Sequence, residues 1–253
     1  MQLSKRKGQC FLNDRAALER MAEYAKLSKD DTVLEIGAGD GRLTVLLAEK
    51  AENVIAVEKD GHLVELLKKI VDEKKIFNVE IIHGDAMEID FPRFSKIVSN
   101  LPYQISSPVT FKLFGLIDKF KWSSAVLTYQ KEFARRFFSK PCEKNYSRLT
   151  VAANYYCSAK KLETVGRGKF RPQPKVDSMM VKLAPKERAF EADDFFWGAV
   201  AKLFQHKKKV VRAALKDSKF DAENIEKIPA ELLSKRVFCC TLEDLKRISD
   251  FLK

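Results

Sequence analysis

The chain has 253 residues, 45% of them hydrophobic, a formal net charge of +12 and a pI near 9.4. That length suits one large domain with a small one, and the composition is that of a globular protein. No apolar run is long enough for a helix to span a bilayer, so a membrane-spanning helix is not expected.

The charge excess points to a polyanionic partner, because Lys and Arg displace counterions condensed on phosphates. The start, Met1-Gln2-Leu3-Ser4-Lys5-Arg6-Lys7, is basic but lacks the apolar core of a signal peptide. Five cysteines stand at positions 10, 142, 157, 239 and 240, and the histidines at 62, 83 and 206 lie far apart. With an odd count and no C-x-x-C, neither a metal site nor a disulfide framework is expected, and a reducing cytoplasm is the expected compartment.

Residues 4–7 form a basic arm, followed by Gly8-Gln9-Cys10-Phe11-Leu12. Asn13 or Asp14 offers an N-cap for a helix with Leu18, Met21, Ala22 and Ala25 on its apolar positions. Residues 31–36 read as a buried strand that runs into Gly37-Ala38-Gly39-Asp40-Gly41, and Leu43, Leu46 and Leu47 give the next helix its apolar face. A glycine turn between strand and helix lets backbone approach a ligand closely, and the free amides of the helix start favour polar or anionic groups. A dinucleotide fingerprint is G-x-G-x-x-G, but here the third glycine falls one place early and Arg42 takes its position. G-x-G-x-G after an acidic strand end, Glu35, is similar to the S-adenosylmethionine site of class I methyltransferases.

Residues 53–57 form the second strand, ending in Glu58-Lys59. In an open α/β sheet an acid at this strand end can accept both ribose hydroxyls of a nucleoside. Leu63, Leu66, Leu67, Ile70 and Val71 mark an amphipathic helix, and residues 79–83 a third strand closing in Gly84-Asp85-Ala86. An acid there can hold the exocyclic amine of an adenine ring. Residues 96–99 are a short fourth strand, followed by Asn100-Leu101-Pro102-Tyr103. This alternation predicts a mostly parallel sheet whose ligand site lies at the carboxyl ends of the strands, where all four motifs converge.

The Asn100–Tyr103 stretch carries the most specific chemistry. An exocyclic amine conjugated to its ring is a poor nucleophile toward a sulfonium methyl. It is helped less by a general base than by acceptors that hold its N–H bonds and favour charge developing on nitrogen. The Asn100 side-chain oxygen and the Leu101 or Pro102 carbonyl can serve, Pro102 stiffens the turn, and Tyr103 can stack on the base. A paired base cannot reach such a pocket and must be flipped out or unpaired, at a cost of a few kcal/mol, part of which stacking returns. Phe170, braced by Pro172 and Pro174, is the candidate for the second stacking face.

Residues 123–128 read as a fifth strand and 132–138 as helical. Residues 149–156 are an apolar stretch, and 162–165 with 178–183 form a hairpin. From 185 the pattern is helical to the end, which sets domains at 1–184 and 185–253. Arg135, Arg136, Arg148, Arg167, Lys169, Arg171 and Lys207, Lys208 and Lys209 are candidates for phosphate contacts.

Taken together the motifs resemble those of the ribosomal RNA adenine dimethyltransferase family of the KsgA type. The resemblance runs through Gly8-Gln9-x-Phe11-Leu12, Glu35-Ile36-Gly37-Ala38-Gly39-x-Gly41, Glu58, Gly84-Asp85-Ala86, Asn100-Leu101-Pro102-Tyr103 and Phe170-x-Pro172-x-Pro174-x-Val176-Asp177-Ser178. It implies an α/β fold, Rossmann-like, with a small all-helical C-terminal domain that binds RNA. It also implies transfer of four methyl groups from S-adenosylmethionine to two adjacent adenosines near the 3′ end of small-subunit rRNA, with a role in ribosome assembly. Gln9, Cys10, Leu12, Glu35, Gly37, Gly39, Gly41, Glu58, Lys59, Asp85, Ala86 and Asn100 are its expected cofactor residues. Cys10 departs from the family, which often has asparagine there. The short N-terminus and compact C-terminal unit look archaeal. The expected partners are small-subunit rRNA and the pre-small-subunit particle, with no metal, no membrane and a monomeric chain. The competing readings are a single-adenine methyltransferase of large-subunit rRNA, a non-catalytic nucleic-acid-binding factor, and, more distantly, a nicotinamide dehydrogenase.

Overall fold

A computed structural model describes residues 10–253. Its first half follows the predicted alternation: β1 (Phe11–Leu12), α1 (Arg15–Ala25), β2 (Thr32–Ile36), α2 (Arg42–Lys50), β3 (Asn53–Glu58), α3 (Gly61–Glu73), β4 (Val79–His83) and β5 (Lys96–Ser99). Next come α4 (Ser106–Gly115), α5 (Ile117–Phe120), β6 (Ser124–Gln130), α6 (Lys131–Arg135), α7 (Arg148–Tyr156), β7 (Cys157–Val165), β8 (Phe170–Arg171) and β9 (Ser178–Pro185). Five helices complete the chain: α8 (Asp194–Gln205), α9 (Val211–Asp217), α10 (Ala222–Lys227), α11 (Ala230–Ser234) and α12 (Leu242–Leu252).

The large sheet has the order β4-β3-β2-β5-β6-β9-β7. Strands β2 to β6 pair in parallel, and β9 joins β6 antiparallel. Strand order reverses between β2 and β5, so the switch point, where open α/β sheets take their ligands, lies at the ends of these two strands. Ile36 and Ser99 end them, placing Gly37 and Asn100 side by side, and the hydroxyl of Ser99 donates to the Ile36 carbonyl at 2.6 Å.

The residues form two compact units. One holds the chain up to Ala134 together with Ser158–Pro185, and its core includes Leu18, Met21, Val33, Leu47, Val54, Val98, Val126 and Met180. Helix α1 is capped at its start by Asp14, whose carboxylate accepts the Ala17 N–H. At its end Lys182 and Lys96 donate to the Tyr24 and Lys26 carbonyls, cations on the negative end of the helix.

The other unit holds Arg135–Cys157 and Lys186–Lys253 around Tyr146, Val151, Phe196, Val200, Leu203, Leu215, Val237 and Ile248. A single boundary near 184 therefore describes only one of the crossings between units. Residues 149–156, apolar but without a readable period, are helix α7, which packs on α8 and α12 and carries the segment 135–157 into the helical unit.

Two further features depart from the sequence expectation. Phe11–Leu12 pairs antiparallel with Phe170–Arg171 as a separate two-stranded ribbon, too short for periodicity to reveal. Cys142 and Cys239 form a disulfide within the helical unit, their Cα atoms 4.2 Å apart, although 97 residues separate them in sequence. Five cysteines leave room for up to two bridges, and here Cys10, Cys157 and Cys240 remain free. Among the described residues no helix is long and apolar enough to cross a membrane, and no group of three or more His, Cys, Asp or Glu could hold a metal.

Candidate active site

The glycine turn after β2 is built on left-handed backbone. Gly37, Gly39 and Gly41 have φ of 75°, 60° and 76°, a region that glycine enters without a Cβ penalty. The turn is also crowded. A Cβ on Gly37 would lie 3.0 Å from the Pro102 ring, and one on Gly39 2.8 Å from the Phe11 ring. The Arg42 guanidinium hydrogen-bonds the Asn13 side-chain oxygen and pairs with Asp40 at 3.1 Å, tying the turn to the start of α1.

Two acids stand at the neighbouring strand ends. Glu58 is buried, with one carboxylate oxygen accepting the Gly39 N–H at 2.9 Å and the other the Asp60 N–H at 2.8 Å. Each oxygen keeps a further lone pair for a hydroxyl donor. Asp85 accepts the Met87 N–H at 2.8 Å and pairs with Lys59 at 2.5 Å, and that lysine holds its carboxyl below the usual range. Glu58, Lys59, Asp85, Ala86, Gly37 and Pro102 line one cavity of about 450 Å³, together with Gln104 and Ile105. Those last two were not foreseen in the sequence. They directly follow Tyr103, and the 3-10 turn Tyr103–Ile105 brings them to the cavity.

Glu35, another expected cofactor residue, does not line that cavity. Its side chain is buried behind the turn, accepting the Thr44 hydroxyl at 2.6 Å, and burial pushes its pKa up to about 8. It lines a separate small cleft with Leu12, Gly37, Ala38 and Asn100. Glu35 sits two places before Gly37, and its carboxylate faces α2 through Thr44.

Asn100 has the most telling environment. Its Nδ2 donates to the Cys10 carbonyl at 3.3 Å, while its Oδ1 is buried without a hydrogen-bond partner. Buried acceptors are rarely left so, because an unmade hydrogen bond costs about 1–3 kcal/mol. The Pro102 carbonyl is already engaged by the Ile105 N–H at 3.2 Å and the Ser106 hydroxyl at 3.3 Å, which narrows the backbone acceptors to Leu101. The Tyr103 hydroxyl is hydrogen-bonded to Ser178 at 2.5 Å, and burial raises its pKa, so it is a neutral phenol.

Phe170 differs from expectation. It is 0% exposed, packed in the core with Leu12, Leu18 and Met180, and presents no open ring face to a base. Pairing of β8 with β1 draws it inward. Gln9 lies outside the described residues.

The basic candidates fall into two groups, one per unit. In the first, Lys169 pairs with Asp14 at 2.8 Å, while Arg167 and Arg171 donate to the carbonyls of Lys175, and of Gly168 and Phe170. In the second, Lys209 pairs with Asp217 at 2.5 Å, and Lys207 donates to the Lys144 and Tyr146 carbonyls. A carbonyl partner leaves the positive charge uncompensated, whereas a carboxylate offsets it. Lys169 and Lys209 are thus weaker candidates than Lys207, Lys208, Arg167 and Arg171. Arg135, Arg136 and Arg148 also belong to the helical unit, where the Arg136 carbonyl accepts the Thr150 hydroxyl.

The early third glycine, with Arg42 clamped to Asp40 and Asn13, takes this site away from dinucleotide binding. A parallel sheet with this turn at its switch point and an acid at the next strand end makes the fold that of a class I S-adenosylmethionine-dependent methyltransferase. The model of the family described as ribosomal RNA adenine dimethylase matches residues 1–252, and the chain belongs to that family.

A Thermococcus sibiricus protein named "Probable ribosomal RNA small subunit methyltransferase A" is 44% identical, covering 97% of this chain and 90% of its own. A Methanosarcina acetivorans protein of the same name is 43% identical, with 96% and 91% covered. Among solved structures, a dimethyladenosine transferase from Plasmodium falciparum is 32% identical with a TM-score of 0.80, covering 94% of this chain and 95% of that one. The 23S rRNA methyltransferase ErmE is 28% identical with a TM-score of 0.68, covering 96% and 99%.

The enzyme's cofactor is S-adenosylmethionine, and the residues present fit it. The turn offers a cradle that any Cβ would obstruct, and Glu58 holds fixed acceptors at its rim.

Proposed function

We propose that this enzyme dimethylates the 6-amino groups of two adjacent adenosines near the 3′ end of small-subunit rRNA, acting on a pre-small-subunit particle and contributing to its assembly. The observation that carries the adenine chemistry is the buried, unpartnered Oδ1 of Asn100 beside the glycine turn. Naming of the archaeal relatives and the higher structural likeness to a dimethyladenosine transferase than to ErmE support the small subunit over the large.

In this reading Glu58 accepts the ribose hydroxyls of the cofactor, Asp85 accepts its adenine amine in place of Lys59, and backbone at Gly37–Gly39 lies against the amino-acid portion. The cofactor supplies an electrophilic methyl group on a sulfonium sulfur. Asn100 Oδ1 and the Leu101 carbonyl accept the two N–H groups of the target adenine. This points the nitrogen lone pair out of the ring plane and favours the positive charge that grows there as the new N–C bond forms. Tyr103, held by Ser178, offers its ring for stacking on the flipped base. Holding amine and methyl in line supplies a large share of the rate, since effective molarities in well-oriented systems correspond to roughly 7–11 kcal/mol. After transfer the cationic amine gives one proton to water. The monomethylated base still presents one N–H, so one of the two acceptors holds it in a second round.

RNA binding rests on the net charge of +12 and on Lys207, Lys208, Arg167 and Arg171. The chain acts in the cytoplasm as a monomer in this reading.

Labelled S-adenosylmethionine, supplied with small and large subunits lacking the modification, tests the proposal through nucleoside analysis. Dimethyladenosine in small-subunit rRNA is the expected product. Label confined to the large subunit overturns the substrate assignment.

A further inference from the structure

Lys112 stands outside the cavity, on the helix that follows the Asn100–Tyr103 motif. Its ammonium is turned inward and gathers backbone carbonyls of the segment after β4: that of Ala86 at 2.8 Å, of Ile89 at 2.5 Å, with that of Met87 at 3.5 Å. The ring of Phe91 closes the cage, its centroid 4.5 Å from Nζ. Segment 84–91 has no regular helix or strand to satisfy those carbonyls. It is also tight, since a Cβ on Gly84 would come within 2.7 Å of Ile89.

No ion pair with a carboxylate accompanies Lys112 among the described residues, and burial lowers its pKa. A partly desolvated ammonium whose ligands are neutral carbonyls is an expensive choice for mere packing, because a Met or Leu would fill the same space without the desolvation penalty. What the ammonium adds is direction. Three donors on one point charge fix three carbonyls of one loop, and the loop they fix carries Asp85.

We infer that Lys112 is a positioning residue for adenine recognition. It locks segment 84–91 so that Asp85 presents its carboxylate to the exocyclic amine of the cofactor, and it holds that loop in register with the catalytic motif through α4. The inference rests on the reading of Asp85 given above.

The test is binding rather than turnover. Calorimetry compares S-adenosylhomocysteine with S-inosylhomocysteine, which carries a carbonyl where the amine stood and would turn a lone pair toward Asp85. The wild type prefers the adenine form by about tenfold or more, as expected of a site built to hydrogen-bond a donor, and Asp85→Ala abolishes the preference. Lys112→Met brings the preference to within about threefold and weakens S-adenosylhomocysteine binding about tenfold. At saturating S-adenosylmethionine its kcat stays close to wild type while KM rises. Lys112→Arg keeps the charge and stem but cannot converge a planar fork on three carbonyls, so it shows an intermediate preference and guards against a folding failure of the Met variant. A wild-type preference retained in both variants overturns the inference and leaves the Asp85 assignment standing. Equal affinities for the two ligands in the wild type overturn the Asp85 assignment and this inference with it.

Discussion

Asn100 donates its side-chain amide to the backbone carbonyl of Cys10, at 3.3 Å, and this bond decides which end of the amide is left free. With the nitrogen engaged, the oxygen is the end that stays buried and unpartnered. The Asn100–Tyr103 stretch is thereby tied to the residue just before β1. The bond uses the backbone of Cys10 and not its side chain.

The Cys10 thiol should therefore be dispensable. Its pKa is raised by burial, which keeps it an uncharged and weak hydrogen-bonding group. Cys10→Ala is expected to keep methyl transfer within about threefold of wild type, less than 1.4 kcal/mol in the barrier. A loss of a hundredfold would assign the thiol a direct role.

Gly37 has no tolerance for a side chain. Its φ of 75° costs an ordinary residue roughly 1–2 kcal/mol, and a Cβ would press the Pro102 ring at 3.0 Å. Gly37→Ala is expected to lower the melting temperature and to weaken binding of S-adenosylhomocysteine by about tenfold or more. Wild-type affinity in a well-folded Gly37→Ala would show that the turn does not cradle the cofactor.

Glu35 gives stability a pH dependence of definite sign. Its pKa rises on folding from 4.5 to about 8, chiefly through burial, partly offset by the Thr44 hydrogen bond. Between those values the native state binds the proton more tightly than the unfolded chain, so stability falls as pH climbs from 4.5 through 8. Glu35→Gln keeps an acceptor for Thr44 and removes the titration. Melting curves from acid to mildly alkaline pH should show the variant gaining on the wild type as pH rises, by an amount on the order of a few kcal/mol. Parallel curves would contradict the buried, protonated acid.

The Cys142–Cys239 bridge joins the two discontinuous segments of the helical unit. Thiol titration of the denatured, unreduced protein should count three cysteines, those at 10, 157 and 240, and five after reduction. Reduction, or Cys142→Ser with Cys239→Ser, is expected to lower stability by about 2–4 kcal/mol. Five free thiols without reductant would refute the bridge.

The site was legible where its chemistry is local. Glycine spacing after a strand, an acid at the end of the next strand and Asn100-Leu101-Pro102-Tyr103 after another each lie within a few residues. A parallel sheet then gathers them at the strand ends without further information. What escaped depends on contacts between distant segments. Phe170 reads as a free aromatic in a proline-braced loop, and only pairing with Leu12 shows that it is core. Glu35 reads as a free acid at a strand end, and only the Thr44 contact shows that its carboxylate is held by α2. Lys112 is one lysine among many until its carbonyl partners are seen. Helix α7 carries apolar residues all round, so its stretch gives no period, and its place in the helical unit follows from packing on α8 and α12.

The most direct test of the account is single-turnover methyl transfer by Asn100→Ala, with S-adenosylmethionine affinity measured on the same preparation. Removing the free acceptor should lower the rate by about 10²–10³-fold, the loss seen when one preorganised partner of a developing charge is deleted, while cofactor affinity changes little. A rate equal to wild type would mean that the buried oxygen of Asn100 does not hold the target amine.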